Sequence, residues 1–271
     1  MNRPIRLAFL GAGNMTAAML GGLLKANSHP FILGLTSRTL EKCEPYRAQG
    51  VEIFPDNSSA ARWADMIVLA VKPQQYREVL EPLAALPLQN KAFVSIAAGI
   101  STETVCEMLG THVPVIRAMP NTPMLLGMGT TALSRNALVS DEDYRAASVI
   151  FSASGMTMDL PEDKMNAVIA AIGSSPAYLY LIIGAIYEEA RAQGVDAPTL
   201  LEGICQMTAG AARMVLESGE SPETLIRRVC SPGGTTERAM QVLREEDLPG
   251  ILARAMRACT ARAEELGAQK R

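Results

Sequence analysis

The sequence predicts an α/β protein in which an N-terminal doubly wound parallel sheet, residues 1–160, is followed by an all-α domain, residues 161–271. Short apolar runs alternate with amphipathic stretches through the first 160 residues, which is typical of parallel strands covered by helices on both faces. A Gly-x-Gly turn follows the first apolar run. After Leu160 and Pro161 the chain shows only helical patterns. These three observations predict the fold class and the domain boundary.

The apolar runs predict the individual strands. Six of them would form the sheet, the third being the weakest: residues 6–10, 31–35, 51–54, 66–71, 92–96 and 113–117. Two further runs, residues 130–133 and 155–158, would extend the sheet at its far edge. Amphipathic spacing predicts helices among the strands at residues 15–24, 74–86 and 141–152.

Proline-containing pairs mark the helix starts in the second domain, at residues 175–176, 197–198 and 221–222. A last helix over residues 248–266 would place its apolar residues on one face. Residues 167–187 carry no charge and are about long enough to span a bilayer. Gly173, Ser174, Ser175 and Pro176 interrupt them. We therefore predict two soluble helices buried in a domain or subunit interface, and no membrane partner.

Composition narrows the function classes. Hydrophobic residues make up 48% and charged residues 20%, which is typical of a globular protein. The net charge of −3 offers no electrostatic surface for nucleic acid. Five cysteines without a CxxC pair indicate reduced thiols rather than disulfides or a metal site, and no secretory signal is visible. We expect a cytoplasmic protein with no metal and no nucleic-acid partner.

The turn after the first apolar run, Gly-Ala-Gly-Asn-Met-Thr, has the form of a dinucleotide-binding turn. Gly11 would permit the sharp turn, and Gly13 would let the backbone approach a pyrophosphate at the N-terminus of the next helix. Thr16 stands where a third glycine is usual, so we expect looser packing of that helix. An ordinary strand-to-helix turn is the alternative, because two glycines alone are a weak signal.

The end of the second strand indicates which dinucleotide binds. A site for NAD usually has a carboxylate there, whereas this chain has Ser37 and Arg38, with no carboxylate before Glu41. A hydroxyl and a guanidinium suit a 2′-phosphate, and one hydrogen bond to a charged group contributes about 1.5–3 kcal/mol. NADPH is therefore the predicted cofactor, with NADH possible. A solvated surface arginine is the alternative.

Two later strand ends lie where open α/β sheets bind ligands. Lys72 follows the fourth strand and could face phosphate or substrate; equally, it could be a surface cation beside Pro73. Ala97, Ala98 and Gly99 follow the fifth strand and are small enough to leave room for a flat nicotinamide.

Two motifs could serve a substrate. Residues 117–123, Arg-Ala-Met-Pro-Asn-Thr-Pro, predict a rigid loop that lines a pocket. Residues 231–236, Ser-Pro-Gly-Gly-Thr-Thr, would place free N–H groups and two hydroxyls at a helix N-terminus, a suitable cradle for a carboxylate. Taken alone, each motif is better explained as an ordinary turn.

Taken together, the motifs resemble those of pyrroline-5-carboxylate reductases in this order: Gly-Ala-Gly-Asn-Met, Ser-Arg, Ala-Val-Lys-Pro, Ala-Ala-Gly, Arg-x-Met-Pro-Asn-Thr-Pro, Gly-Ser-x-Pro-Ala-Tyr and Ser-Pro-Gly-Gly-Thr-Thr. The resemblance covers nearly the whole chain, and the last motif is the most specific. It implies a Rossmann-like domain followed by a C-terminal dimerisation domain. The implied reaction is NAD(P)H-dependent reduction of 1-pyrroline-5-carboxylate to L-proline, the last step of proline biosynthesis. A homodimer, able to assemble further into a homodecamer, is also implied.

The resemblance implies roles for individual residues as well. The pyrophosphate would be held by Gly11, Gly13, Asn14 and Met15. The adenosine end would be held by Ser37, Arg38 and Asn57. The nicotinamide side would be surrounded by Ala70, Lys72, Pro73, Ala97, Ala98 and Asn121. The substrate carboxylate would be held by the backbone of Gly233, Gly234 and Thr235, and the ring nitrogen by the catalytic residue, Thr236.

Some positions depart from the family pattern. Thr16 and Ser175 stand where glycine is usual, and residues 237–240, Glu-Arg-Ala-Met, are more charged than usual. These departures affect the expected packing more than the expected reaction.

Two other functions fit parts of the sequence. A 3-hydroxyacid dehydrogenase also pairs a Rossmann-like domain with a helical one, but its usual catalytic lysine would have to be Lys164, which lies in no supporting motif. A non-catalytic NADPH-binding protein is the second alternative. Such a protein would not need the cradle at residues 231–236.

Overall fold

The computed structural model describes residues 3–26 and 28–268. Within these residues one sheet is formed by eight strands: Ile5–Leu10 (β1), Phe31–Thr36 (β2), Glu52–Ile53 (β3), Met66–Leu69 (β4), Ala92–Ser95 (β5), Val115–Met119 (β6), Gly129–Arg135 (β7) and Gly155–Asp159 (β8). Their order across the sheet is β3-β2-β1-β4-β5-β6-β7-β8. From β1 the strand order proceeds to β2 and β3 on one side and to β4, β5 and β6 on the other. This reversal of strand order is typical of a doubly wound sheet and confirms the predicted fold class.

Strand pairing brings several strand ends to one edge of the sheet. All pairs from β3 to β6 are parallel, β7 is antiparallel to β6, and β8 is parallel to β7. Leu10, the last residue of β1, pairs with Thr36 of β2 and with Leu69 of β4. The turns that follow β1, β2 and β4 are therefore neighbours, and they carry the predicted nucleotide motifs.

Helices bury both faces of the sheet. Leu7 and Phe9 of β1 belong to one buried cluster, while Ala8 and Leu10 belong to another. Successive side chains of a strand point to opposite faces, so a continuous apolar run is buried throughout only when both faces are covered. This is why unbroken apolar runs identified these strands correctly.

The helices around the sheet are Asn14–Lys25 (α1), Glu44–Arg47 (α2), Asn57–Trp63 (α3), Tyr76–Leu80 (α4), Thr102–Leu109 (α5), Asp141–Ser152 (α6) and Met165–Val168 (α7). The single helix predicted over residues 74–86 is wrong, because short 3₁₀ turns flank α4 at Pro73–Gln75 and Glu81–Ala85. Pro82 provides the physical reason, since it lacks the N–H that an α-helix interior requires.

The rest of the described chain is helical, as predicted. A π-helical turn, Ile169–Gly173, precedes Ser175–Ala192 (α8), Leu200–Glu217 (α9), Pro222–Val229 (α10), Thr235–Glu245 (α11) and Leu248–Ala268 (α12). The break predicted at residues 173–176 is present. The stretch Glu162–Ala192 is long and apolar enough to cross a membrane by length and composition alone, a weak criterion that soluble helices also meet. Leu181 in α8 is 75% exposed, so the predicted burial of α8 would need a second chain.

By contacts, the described residues form two units. One runs to Ser174 and resumes at Arg257, and the other is Ser175–Met256. Within the first unit the end of α12 packs tightly against the loop after β5. A Cβ on Gly99, whose φ is +76°, would lie 2.4 Å from the Ala263 carbonyl oxygen. The domain boundary at residue 160 stays a prediction.

Candidate active site

The turn between β1 and α1 has the geometry that a bound pyrophosphate requires. Gly11 has a φ of +115°, and a Cβ there would lie 2.6 Å from the Ala70 carbonyl oxygen. Gly13 is the N-cap of α1, and a Cβ there would meet no described atom within 4 Å. The backbone at Gly13 is thus open to a ligand at a helix N-terminus, where N–H groups attract anions.

Thr16 links α1 back to this turn. Its side chain is almost fully buried, and its Oγ1 donates a hydrogen bond to the Gly11 carbonyl oxygen at 2.7 Å. The sequence led us to expect only a loss of close packing here. The structure adds a compensating contact, because the hydroxyl ties α1 to the turn at Gly11.

The two glycines lend themselves to a paired test. We expect Gly11→Ala to lower the free energy of unfolding by about 1–3 kcal/mol from backbone strain alone. Gly13→Ala should cost less than about 1 kcal/mol, the effect of a poorer N-cap, yet weaken NADPH binding because its methyl group occupies the ligand's approach. Urea unfolding and NADPH titration by fluorescence measure the two effects. A Gly13→Ala protein that is strongly destabilised but binds NADPH normally would contradict this assignment.

A cleft of about 300 Å³ opens beside the turn. Its walls come from the turn itself, from the segments after β2 and β4, and from the start of α3: Gly11, Ala12, Gly13, Ser37, Arg38, Thr39, Lys42, Asn57, Ala70, Val71, Lys72, Gln75, Glu78 and Val79. Among these residues the cations Arg38, Lys42 and Lys72 outnumber the single carboxylate of Glu78. The cleft therefore has the charge to attract an anionic ligand.

The segment after β2 supplies the groups for a phosphate. The Ser37 hydroxyl oxygen accepts a hydrogen bond from the Thr39 N–H at 3.3 Å, which leaves the hydroxyl proton available to a ligand. Arg38 faces Gln75 on the opposite wall. When the Gln75 amide is oriented with its oxygen towards Arg38, that oxygen accepts a hydrogen bond from Arg38 Nη1 at 3.1 Å. Lys42 was not predicted. The only signal in the sequence was a second cation four residues after Arg38.

The structure brings only part of the predicted cofactor set into this cleft. Those that line it are Gly11, Gly13, Ser37, Arg38, Asn57, Ala70 and Lys72. Those outside its walls are Asn14, Met15, Pro73, Ala97, Ala98 and Asn121. Lys72 lines the same cleft as Arg38, and its contact with a phosphate or a substrate stays a prediction.

The side chain of Asn121 joins β7 to the π-helical turn through two hydrogen bonds. Its Nδ2 donates to the Ile172 carbonyl oxygen at 3.1 Å, and its Oδ1 accepts from the Thr130 N–H at 2.9 Å. Asn121 is buried, at 8% exposed, and these two bonds use one donor and one acceptor position of its amide. A contact between Asn121 and the nicotinamide stays a prediction.

Arg117, which opens the motif at residues 117–123, is buried in the scaffold. Its Nη2 donates to Asn166 Oδ1 at 2.6 Å, and its Nη1 lies 3.8 Å from Glu162 Oε1. The Glu162 carboxylate also accepts from the N–H and the hydroxyl of Thr102, at 2.7 and 2.6 Å. Burial lowers the pKa of Arg117, and the charge of Glu162 opposes that shift. This arginine therefore holds β6 to the start of the helical segment.

Tyr76 ties the ends of β4 and β5 together. Its hydroxyl donates to the Leu69 carbonyl oxygen at 3.0 Å and lies 3.1 Å from Ser95 Oγ. Burial raises the pKa of Tyr76, so the phenol stays protonated as a donor. The end of β4, which borders the cleft, is therefore held by a side chain that the sequence did not single out.

The second unit contains the predicted carboxylate cradle. Gly233 has a φ of +69°, and a Cβ on Gly234 would lie 2.9 Å from the Ser231 carbonyl oxygen. The loop therefore favours glycine at both positions, since a side chain would be strained at Gly233 and would crowd the Ser231 carbonyl at Gly234. Gly234 is the N-cap of α11, so Thr235 and Thr236 are its first two residues. Their N–H groups point out of the helix end, as a carboxylate site requires.

Comparison with known proteins gives a consistent result. Residues 162–266 match the family described as pyrroline-5-carboxylate reductase dimerisation, and residues 6–99 match one described as NADP oxidoreductase, coenzyme F420-dependent. Proteins named pyrroline-5-carboxylate reductase from Vibrio alginolyticus and Escherichia coli K12 are 38% and 35% identical to this chain. The alignments cover 96% of this chain, and 97% and 98% of those relatives.

Solved structures agree. A pyrroline-5-carboxylate reductase from Coxiella burnetii is 35% identical, with a TM-score of 0.87 over 97% of this chain and 99% of that one. The Plasmodium falciparum pyrroline carboxylate reductase with NADP bound is 26% identical, with a TM-score of 0.85 over 97% and 98% of the two chains. These matches confirm the resemblance seen in the sequence motifs. This chain belongs to the pyrroline-5-carboxylate reductase family of NAD(P)H-dependent oxidoreductases.

Proposed function

We propose that this chain reduces 1-pyrroline-5-carboxylate to L-proline and takes the hydride from NADPH. The observation that carries the proposal is the cradle at residues 231–236, because the turn at Gly233 and Gly234 leaves N–H groups exposed at the start of α11. A cyclic imine that bears a carboxylate needs such a site to be held in place. The cationic cleft beside Gly11 and Gly13 supports the cofactor half of the proposal.

The residues of the cradle would orient the imine. N–H groups of Gly233 and Thr235 would hold the carboxylate. Gly234, also expected to hold the carboxylate, donates its N–H to the Ser231 carbonyl oxygen at 2.9 Å and so shapes the loop instead. The Thr236 hydroxyl would donate a hydrogen bond to the ring nitrogen. That bond draws electron density from the C=N carbon. As the carbon is reduced, the C=N π electrons move to the nitrogen, which takes up a proton from water. Reduced nicotinamide, when bound, supplies the hydride. Orientation and electrostatics suffice for this reaction, so a histidine acid is not required.

The cofactor would lie along the carboxyl ends of the strands. N–H groups at the turn would bind the pyrophosphate through Gly11, Gly13, Asn14 and Met15. The 2′-phosphate and adenosine ribose would be bound by Ser37, Arg38, Lys42 and Asn57. The nicotinamide would be surrounded by Ala70, Lys72, Pro73, Ala97, Ala98 and Asn121. The charge and the open backbone of the described cleft fit a phosphate-bearing dinucleotide, and they favour NADPH over NADH.

The assembly and location follow the same reasoning. We propose that residues 1–160 bind the cofactor and that residues 161–271 form a homodimer, with dimers assembled into a decamer in the cytoplasm. The exposed apolar side chains of α8 and α9, among them Leu179, Leu181 and Leu216, would be covered by the second copy rather than by lipid. Light scattering coupled to size-exclusion chromatography separates dimer from decamer by mass.

The direct test measures NADPH oxidation with 1-pyrroline-5-carboxylate beside a set of hydroxy- and keto-acids. We expect turnover with the pyrroline and L-proline as the product. A 3-hydroxyacid dehydrogenase is disfavoured, because Lys164 is exposed and pairs with Asp163 at 2.8 Å. The hydrogen bond to Asp163 raises the pKa of Lys164, which keeps the amine charged. Turnover with a hydroxyacid and none with the pyrroline would overturn the proposal.

A further inference from the structure

Glu237, on the first turn of α11, reaches back to the cradle. The Gly233 N–H donates a hydrogen bond to Glu237 Oε2 at 2.7 Å. Gly233 is also one of the residues proposed to hold the substrate carboxylate. We propose that Glu237 lowers the affinity of the site for its substrate, because its carboxylate competes with that of the substrate for this N–H. The inference rests on the proposed function.

The backbone of the loop explains why this one contact matters. The Gly234 N–H already donates to the Ser231 carbonyl oxygen at 2.9 Å, and the Arg238 N–H donates to the Gly234 carbonyl oxygen at 3.2 Å. The donors left for a ligand at this helix end are therefore the N–H groups of Gly233, Thr235, Thr236 and Glu237. The Glu237 carboxylate takes the first of the four with a short, charge-assisted bond.

The contact differs from the usual pairing at a helix start. A glutamate at the third helical position usually accepts from the N–H of the N-cap residue. Here the N-cap is Gly234, whose N–H is bonded to Ser231, so Glu237 reaches one residue further to Gly233. Glu237 thus presents a carboxylate where the substrate would place its own. Two carboxylates at one N–H repel each other, so substrate binding must displace the Glu237 side chain.

Displacement is feasible because Glu237 is exposed and its side chain can turn into solvent. The free energy needed to displace Glu237 raises the KM for the imine and the inhibition constant for L-proline, since each of these ligands carries a carboxylate. The KM for NADPH should not respond. A residue that merely supports the loop would have the opposite effect, because its loss would disorder Gly233 and weaken binding of both carboxylates.

The test compares the full-length wild-type protein with Glu237→Ala, Glu237→Gln and Glu245→Gln. Glu237→Ala should lower the KM for 1-pyrroline-5-carboxylate by about two- to tenfold, the range of one net hydrogen bond. Glu237→Gln keeps an acceptor without the charge, and its KM should fall by a smaller factor. The inhibition constant of L-proline should fall in parallel. Glu245→Gln removes the same charge from the other end of α11, about 12 Å away, and should change neither constant.

Each outcome is informative. Equal or higher KM values in both Glu237 variants, with wild-type turnover intact, would overturn the inference and leave the proposed function standing. An equal fall in KM for Glu245→Gln would assign the effect to net charge and would also overturn it. Wild-type protein that does not reduce the imine would instead overturn the proposed function.

Discussion

Arg38→Ala is expected to raise the Kd for NADPH by about one to two orders of magnitude. The reason is the loss of a charge-assisted contact to the 2′-phosphate, which NADH does not carry. Binding of NADH should therefore change by less than about threefold, because its adenosine ribose meets only the remaining walls of the cleft. Arg38 lines that cleft with Ser37 and Lys42. These two residues remain in the variant, so the loss of NADPH affinity is smaller than if the whole phosphate site were removed.

The measurement is a pair of titrations, one with each cofactor, followed by the fluorescence of the reduced nicotinamide. Arg77→Ala is the matched control: Arg77 lies on α4 outside the walls of the cleft and carries the same charge. Higher ionic strength should weaken NADPH binding to the wild type more than to the Arg38 variant, because screening acts on the charge that has been removed. Equal losses for NADPH and NADH would show that Arg38 does not face the 2′-phosphate.

Thr236→Ala is expected to lower kcat for the imine by about a hundredfold, the typical effect of losing one donor that stabilises developing charge. The Thr236 hydroxyl contacts the ring nitrogen in the proposed reaction, and that contact strengthens as the nitrogen gains electron density. kcat and kcat/KM should therefore fall together. Thr236→Ser retains the hydroxyl and should recover most of the rate, whereas Thr236→Val retains the shape and should not.

Steady-state NADPH oxidation, with L-proline quantified as the product, provides these constants. Thr208→Ala is the control, since Thr208 Oγ1 donates within its own helix to the Ile204 carbonyl oxygen at 2.8 Å. Unfolding curves should show that all four variants are folded. A Thr236→Val enzyme with wild-type kcat would remove the hydroxyl from the mechanism.

Much of the fold was predictable because its signals are local. Every predicted strand is present, and the helix predicted at residues 141–152 has the same bounds in the structure. The single helix predicted at residues 74–86 was wrong, because the prediction used amphipathic spacing and did not take account of Pro82, which interrupts an α-helix. The weak third run became the two-residue edge strand β3, which pairs with β2 on one side only.

The candidate site divides in a similar way. Gly11, Gly13, Ser37 and Arg38 were predictable because each directly follows a strand, and parallel strands end at one edge. Gln75 on the facing wall was not, since its contact with Arg38 depends on how two separate segments approach each other. The motif at residues 117–123 was predicted to line a pocket, yet Arg117 and Asn121 serve mainly to join the sheet to the following helical segment.

The sequence by itself determined the fold class, the family and the phosphate-binding turn, because periodicity, glycine positions and the order of the motifs are properties of the linear chain. Only the tertiary structure decided which polar groups are still free to bind a ligand. Asn121 is bonded to residues 9 and 51 positions away, and Gly99 is glycine because α12 crosses it at residue 263. Even the hydrogen bond between Glu237 and Gly233, only four residues apart, was decided by the tertiary structure. A hydrogen bond depends on distance and direction in space, and a residue's position along the chain does not specify either.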